Sequence, residues 1–171
     1  HAGGLADFPD ATVHVFAAEL AAAKRPTLRE RTRYRAAQLS PVARWAPVEP
    51  DGDTWFGFEC VRALPGARDE VLLIPLPGHS RGHCGVAVRT GAGWLLHCGD
   101  AYFHHAEVAP DGGNAPAMIR AFESIVNADK AARVANQKRL RELARRHGDE
   151  VRLISSHDPI EFDACGSPPA A

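Results

Sequence analysis

No apolar run in this sequence approaches the ~20 residues that a membrane-spanning helix requires, so no segment of it reads as one. An excess of one charge is also missing. The 20 Lys and Arg are set against 21 Asp and Glu, a net charge of −1, and nothing global marks nucleic acid or an anionic membrane as a partner. The four cysteines, Cys60, Cys84, Cys98 and Cys165, include no CxxC pair. That argues against a structural zinc knot and against a disulfide framework. Four unpaired thiols fit a reducing compartment, so the expected address is cytoplasmic. Internal repeats and low-complexity tracts are absent. An initiating Met is absent too: residue 1 is His, as in a processed, excised or truncated product, and a signal peptide cannot be judged. The 171 residues suffice for a single domain, 1–171, with a sizeable core. Nine histidines are many for this length, and their placement carries more than their number.

Periodicity and punctuation outline the elements. Thr12 to Phe16 predicts a strand, and the alanine-rich Ala17 to Lys24 a helix ending before Pro26. The arginine-rich Leu28 to Leu39 suits a surface helix. Ser40 to Asp53, with three prolines, reads as loop. Trp55 to Val61 and Val71 to Leu76 predict strands, the second nearly all apolar and therefore buried. Cys84 to Thr90 and Trp94 to Cys98 flank Gly91-Ala92-Gly93 as a hairpin. Helices are predicted over Asn114 to Asn127, with Ile119, Phe122 and Val126 on one face, and over Ala128 to His147, stopped by Gly148. Val151 to Ser155 is a last strand. Sheet strands followed by long late helices predict an α/β sandwich.

Chemistry-bearing residues gather at the strand ends. Pro77-Gly78-His79-Ser80-Arg81-Gly82-His83 precedes the hairpin, Gly99-Asp100 follows it, and Ser156-His157-Asp158 follows the last strand. The start of one hairpin strand and the end of the other share an edge, so His79 and Asp100 meet despite their separation in sequence. His157 can join them from a neighbouring loop. Imidazole and carboxylate are the ligand types of a hydrolytic zinc, manganese or iron centre. A carboxylate can bridge two such ions, and the pair can hold an acidified water for attack on a carbonyl or phosphoryl group.

The segments PGHSRGH, LLHCGD and SSHDP resemble, in order, motifs of the metallo-β-lactamase superfamily. His1-Ala2-Gly3-Gly4-Leu5 resembles the last histidine of that superfamily's HxHxDH motif and the small-residue turn after it. The resemblance implies an α/β (α+β) fold, the αββα sandwich, here lacking its N-terminal strands, so that residues 1–171 form the C-terminal portion of such a domain. It implies that His79 binds a first metal, that Asp100 bridges two, and that His157 and His1 bind the second. His83 and Asp158 would stand behind these ligands and orient them. Two divalent ions are implied, with zinc ahead of iron or manganese. The implied function is a metal-dependent hydrolase in which metal-bound hydroxide attacks a small-molecule ester, lactone or thioester, with the lactonase-like branch favoured by the terminal His-Asp pair. The two histidines and the aspartate of the motif upstream of His1 are not in this sequence, so the 171 residues alone are expected to be inactive. Exposed sheet edge and apolar surface are expected as well. A diiron redox protein and a metal-free, non-catalytic member of the same fold are the alternatives.

Other polar residues have plainer readings. His104 and His105 read as exposed loop histidines, of which at most one can face a site. Tyr102 could offer a phenol to a substrate carbonyl, although its offset from Asp100 differs from that of the lactonases. His14, His97 and His147 read as structural or exposed. Cys98 reads as core. The arginines of 29–35 and 133–146 read as solvated helix faces, with few aromatics beside them to stack bases. The oligomeric state is not legible.

Overall fold

A computed structural model describes residues 3–166; His1 lies outside the described residues. After a single 3-10 turn over Gly3–Asp7 come β1 (Thr12–Phe16) and α1 (Ala17–Lys24), where they are predicted. The next stretch is less helical than its composition suggests. It forms a 3-10 turn at Glu30–Thr32 and one turn of helix, α2 (Ala36–Leu39). Its arginines are used instead to reach other parts of the chain. The predicted loop over 40–53 contains a strand, β2 (Arg44–Val48), which pairs in parallel with β1, Thr12 opposite Arg44 and Phe16 opposite Val48. Both strands of this small sheet are edges, and an edge is where a proline such as Pro47 is tolerated.

The main sheet has six strands in sequence order: β3 (Asp53–Trp55), β4 (Phe58–Ala63), β5 (Val71–Pro75), β6 (Cys84–Thr90), β7 (Gly93–His97) and β8 (Val151–Ile154). Neighbours are antiparallel except β7 and β8, which run parallel. The single strand predicted over Trp55 to Val61 is a hairpin. Phe56 and Gly57, with φ of 45° and 80°, reverse the chain between Trp55 and Phe58. Two consecutive positive φ values make the tight turn whose twist matches the flanking strands.

Leu72, Leu73 and Ile74 of β5 are all buried, as an uninterrupted apolar strand requires. Ile74, Ala87, Leu96 and Val151 of the sheet form one core with Leu140 and Leu143 of α4 (Lys130–His147). Asp129 caps α4 by accepting from the Ala132 N–H at 3.0 Å. α1 packs on β1 and β2, and α4 on β8. The architecture is mixed α/β, with helices on sheets.

Two further helices border the site. α3 (Ala117–Val126) buries Glu123 and leaves Met118, Phe122 and Ile125 exposed. α5 (Pro159–Gly166) was not foreseen, yet its signal is present in the sequence. Asp158 precedes a proline, with Glu161 three residues on, and the Asp158 carboxylate accepts from the N–H groups of Ile160 and Glu161 at 2.9 and 3.2 Å.

Candidate metal centre

The strand directions assemble the centre. β6 is antiparallel to both β5 and β7, and β8 is parallel to β7, so the C-terminal ends of β5, β7 and β8 lie at one edge of the sheet. The segments leaving those three ends carry His79, Asp100 and His157. Asp100 is 5% exposed. His79 Nε2 stands 3.3 Å from one of its carboxylate oxygens, and His157 Nε2 stands 3.3 Å from the other.

The loop bearing His79 is gripped from several sides. Gly78 has φ of 143°, and a Cβ there would lie 2.5 Å from the backbone nitrogen of Arg133. Only glycine lets the loop seat on the start of α4 in this way. The Gly78 carbonyl accepts from the N–H groups of Ala128 and Asp129 at 3.0 and 2.8 Å. Asn136 of α4 donates to the Pro77 carbonyl at 2.7 Å. Arg33 donates one guanidinium nitrogen to the His79 carbonyl and another to that of Val126. Further along, Arg81 makes a two-point pair with Glu30 at 2.8 and 2.7 Å, and Glu19 accepts from the Gly82 N–H at 2.8 Å.

His83 sits behind Asp100. Its Nδ1 is 2.9 Å from the Leu76 carbonyl, and its Nε2 accepts from the Asp100 N–H at 2.9 Å. These two bonds select the neutral ring with its proton on Nδ1. Burial lowers the His83 pKa, in keeping with that neutral form. Asp158 holds the other flank. Besides capping α5, it accepts from the backbone N–H of His105 at 2.6 Å and lies 2.7 Å from His105 Nδ1. Burial alone would raise its pKa, but these bonds outweigh burial and hold it below the usual range. Asp158 thereby fixes the turn that follows His157.

His79 is kept neutral. Burial, with the Arg33 guanidinium second, brings its pKa down to about 4. A deprotonated imidazole is the form that binds a metal. The donor set therefore fits a divalent ion. Two imidazole nitrogens flank the two oxygens of one buried carboxylate, at the separation of about 3.4 Å expected for donors sharing a tetrahedral ion with bonds of about 2.1 Å. His79 Nδ1 is buried without a hydrogen-bond partner.

Other histidines and Tyr102 serve elsewhere. Tyr102, fully buried, donates its hydroxyl to Glu161 at 2.8 Å, and burial raises its pKa. The phenol is committed to α5 rather than offered to a substrate. His104 accepts from the Ala106 N–H and opens a 3-10 turn over His105–Glu107. His104, His105 and Asp158 form a second compact group of donors, within 4.8 Å of one another. His97 and His147 lie at the surface; His147 pairs with Glu150 at 2.8 Å. His14 is half-buried in β1. Cys98 is core, its thiol pKa pushed up by burial.

Sequence reasoning missed three groups. Phe103 is 8% exposed, and its ring stands 6.0 Å from that of His79, 4.7 Å from His157 and 5.8 Å from Phe122. It floors the centre with hydrocarbon. Arg33, read as a solvated arginine, clamps the His79 loop. Arg133, read the same way, is 6% exposed and pairs with the buried Glu123 at 2.9 Å, with Glu107 3.8 Å away. Glu107 in turn accepts from the N–H groups of Phe103 and His104 at 3.0 and 3.3 Å. Burial, with the nearby Glu107 second, raises the Glu123 pKa to about 7. Helical spacing alone does not reveal such a pair, since both carboxylates are distant from Arg133 in sequence.

No protein-family model matches the chain. It is 42% identical over 161 residues to proteins of Mycobacterium tuberculosis and Mycobacterium bovis, each named a probable metallo-hydrolase. The alignment covers 93% of this chain and 51% of each relative, so the chain spans about half the length of the curated relatives it matches. Among solved structures, an N-acyl homoserine lactone hydrolase, with N-hexanoyl-L-homoserine bound at its catalytic metal centre, superimposes with a TM-score of 0.68. That match has 22% identity over 99% of this chain and 56% of the other. A dizinc quorum-quenching lactonase matches with a TM-score of 0.57 and 15% identity, over 89% of this chain and 49% of its own. The chain thus shares the fold of these solved lactone hydrolases and is similar in sequence to proteins named probable metallo-hydrolases.

Proposed function

We propose that the protein is a metal-dependent hydrolase of carbonyl substrates, with lactones and small esters ahead of thioesters, and that His79, Asp100 and His157 hold its divalent ions. The observation that carries this reading is the buried carboxylate of Asp100 with an imidazole nitrogen 3.3 Å from each of its oxygens. When bound, a pair of divalent ions supplies a water of lowered pKa and polarises the carbonyl under attack. The chain's own residues supply the rest. Asp100 presents its carboxyl group in a buried position, where a charge acts strongly on a cation. Burial keeps His79 deprotonated. His83 sets the height of the Asp100 backbone, and Phe103 excludes water from one side of the centre. His1, as the closing histidine of an HxHxDH motif, is proposed to complete the ligand set. The two histidines and the aspartate of that motif upstream of His1 are not among these 171 residues.

Elemental analysis of the longest form of the protein, purified without chelator, is the test. About two zinc ions per chain with hydrolysis of a lactone, ester or thioester is the expected result. Two irons with no hydrolysis would favour a redox role. No metal retained even after zinc is added would sink the proposal.

A further inference from the structure

The exposed hydrophobic side chains around α3 are not scattered. A cavity of about 350 Å³ is lined by Phe103, Met118, Ile119, Phe122 and His157, a size within the range of small-ligand pockets. Four of these side chains are apolar, none carries a fixed charge, and the fifth is the imidazole that stands against Asp100. Phe103 links the two ends: its ring packs on His79 and His157 at one side and on Phe122 at the other. The groove therefore opens directly at the centre.

α3 is built for this. An ordinary surface helix turns its apolar stripe inward. Here the inward position is Glu123, tied to Arg133, while Met118 and Phe122, four residues apart and so on one face, point outward with 82% and 53% exposure. Leaving such side chains in water has a cost, and contiguous exposed apolar surface marks a binding site.

We propose that this groove is a subsite for an unbranched alkyl or acyl chain of the substrate, so that the carbonyl lies at Asp100 and the chain along Phe103, Phe122 and Met118. This rests on the hydrolase reading above. The geometry favours a flexible chain over an aromatic ring. Phe103 and Phe122 stand 5.8 Å apart, tilted 36° to each other. They touch and form a floor, with no slot between them for a third ring. Met118 beside them is the adaptable side chain suited to chains of differing length.

The test uses the zinc-loaded protein in its longest form and γ-lactones bearing unbranched substituents from methyl to heptyl. kcat/KM is expected to rise about two- to fourfold per methylene until the groove is filled. In Met118→Ser and Phe122→Ser the ratio of the longest to the shortest substrate is expected to collapse towards one. Ser124→Ala, an exposed change elsewhere on α3, should leave that ratio as it is. Melting curves check that each variant is folded. Binding of unbranched carboxylates, from butanoate to decanoate, is measured alongside by calorimetry. If no lactone, ester or thioester is hydrolysed, the hydrolase reading fails, and the calorimetry decides the groove by itself. Affinity that rises with chain length in the parent and not in the two serine variants supports the subsite. Flat affinity in the parent, or an equal rise in the variants, overturns it. A solution mass that falls from dimer to monomer in Phe122→Ser, with flat affinity, assigns the face to a second copy of the chain and also overturns it.

Discussion

The backbone N–H of Asp100 donates to Nε2 of His83 at 2.9 Å, while the other ring nitrogen of His83 meets the Leu76 carbonyl at 2.9 Å. One half-buried imidazole thus ties the end of β7 to the loop that leaves β5. His83→Phe keeps the ring and removes both bonds. Leaving the Asp100 N–H without its acceptor is expected to lower stability by about 1–3 kcal/mol. Metal affinity should fall about 10- to 100-fold. Thermal melting and zinc titration measure the two effects, and unchanged zinc affinity would show that His83 does not position Asp100.

Asp100 itself faces both imidazoles. Asp100→Ala is expected to weaken zinc binding by about a hundredfold or more, beyond the loss of an orienting residue. Elemental analysis after dialysis against weak chelator reads the result. Full retention of zinc by this variant would remove Asp100 from the ligand set.

Glu123 makes stability depend on pH. Its folded pKa is raised from the ordinary carboxylate range to about 7 by burial and by Glu107. The folded state therefore keeps a proton that the unfolded chain releases. Its contribution to stability is whole below the unfolded value near 4.5, is lost progressively as pH rises, and is gone above about 7. Urea midpoints measured across that window should fall for the parent chain, and Glu123→Gln should flatten the fall by up to one proton's worth. An identical slope in both would place the proton elsewhere.

Gly78 tests the seat of the His79 loop. Gly78→Ala forces a side chain into a left-handed backbone, with its Cβ 2.5 Å from the Arg133 nitrogen. A loss of about 2–4 kcal/mol is expected. Gly91, with nothing within 4 Å of a Cβ, serves as the comparison, and Gly91→Ala should stay within about 0.5 kcal/mol. Thermal melting of the two variants separates the effects. Equal melting temperatures would mean that the loop can reseat itself.

The sequence by itself determined the strand-end placement of the chemistry. The hairpin read over Cys84 to Thr90 and Trp94 to Cys98, with turn residues between, was enough to place His79 and Asp100 at one edge, because the start of one antiparallel strand and the end of its partner share an edge. β5 was legible because a strand covered on both faces must be apolar throughout. β2 was hidden by Pro47 and by the prolines on either side of it, and depends on its pairing with β1. α5 was legible in principle from Asp158, Pro159 and Glu161.

The arginines were decided by tertiary structure alone. Arg33 and Arg133 carry the same local pattern as solvated residues, yet one clamps the His79 carbonyl and the other is buried against Glu123. Their role depends on carbonyls and carboxylates far away in sequence, and periodicity reports only local neighbours. The outward face of α3 belongs to the same class. Spacing puts Ile119, Phe122 and Val126 on one face, yet Phe122 is 53% exposed and the side chain α3 buries is Glu123, paired with Arg133. Glu123 and Arg133 lie on different helices, so spacing along α3 alone does not report which side of it meets the rest of the protein.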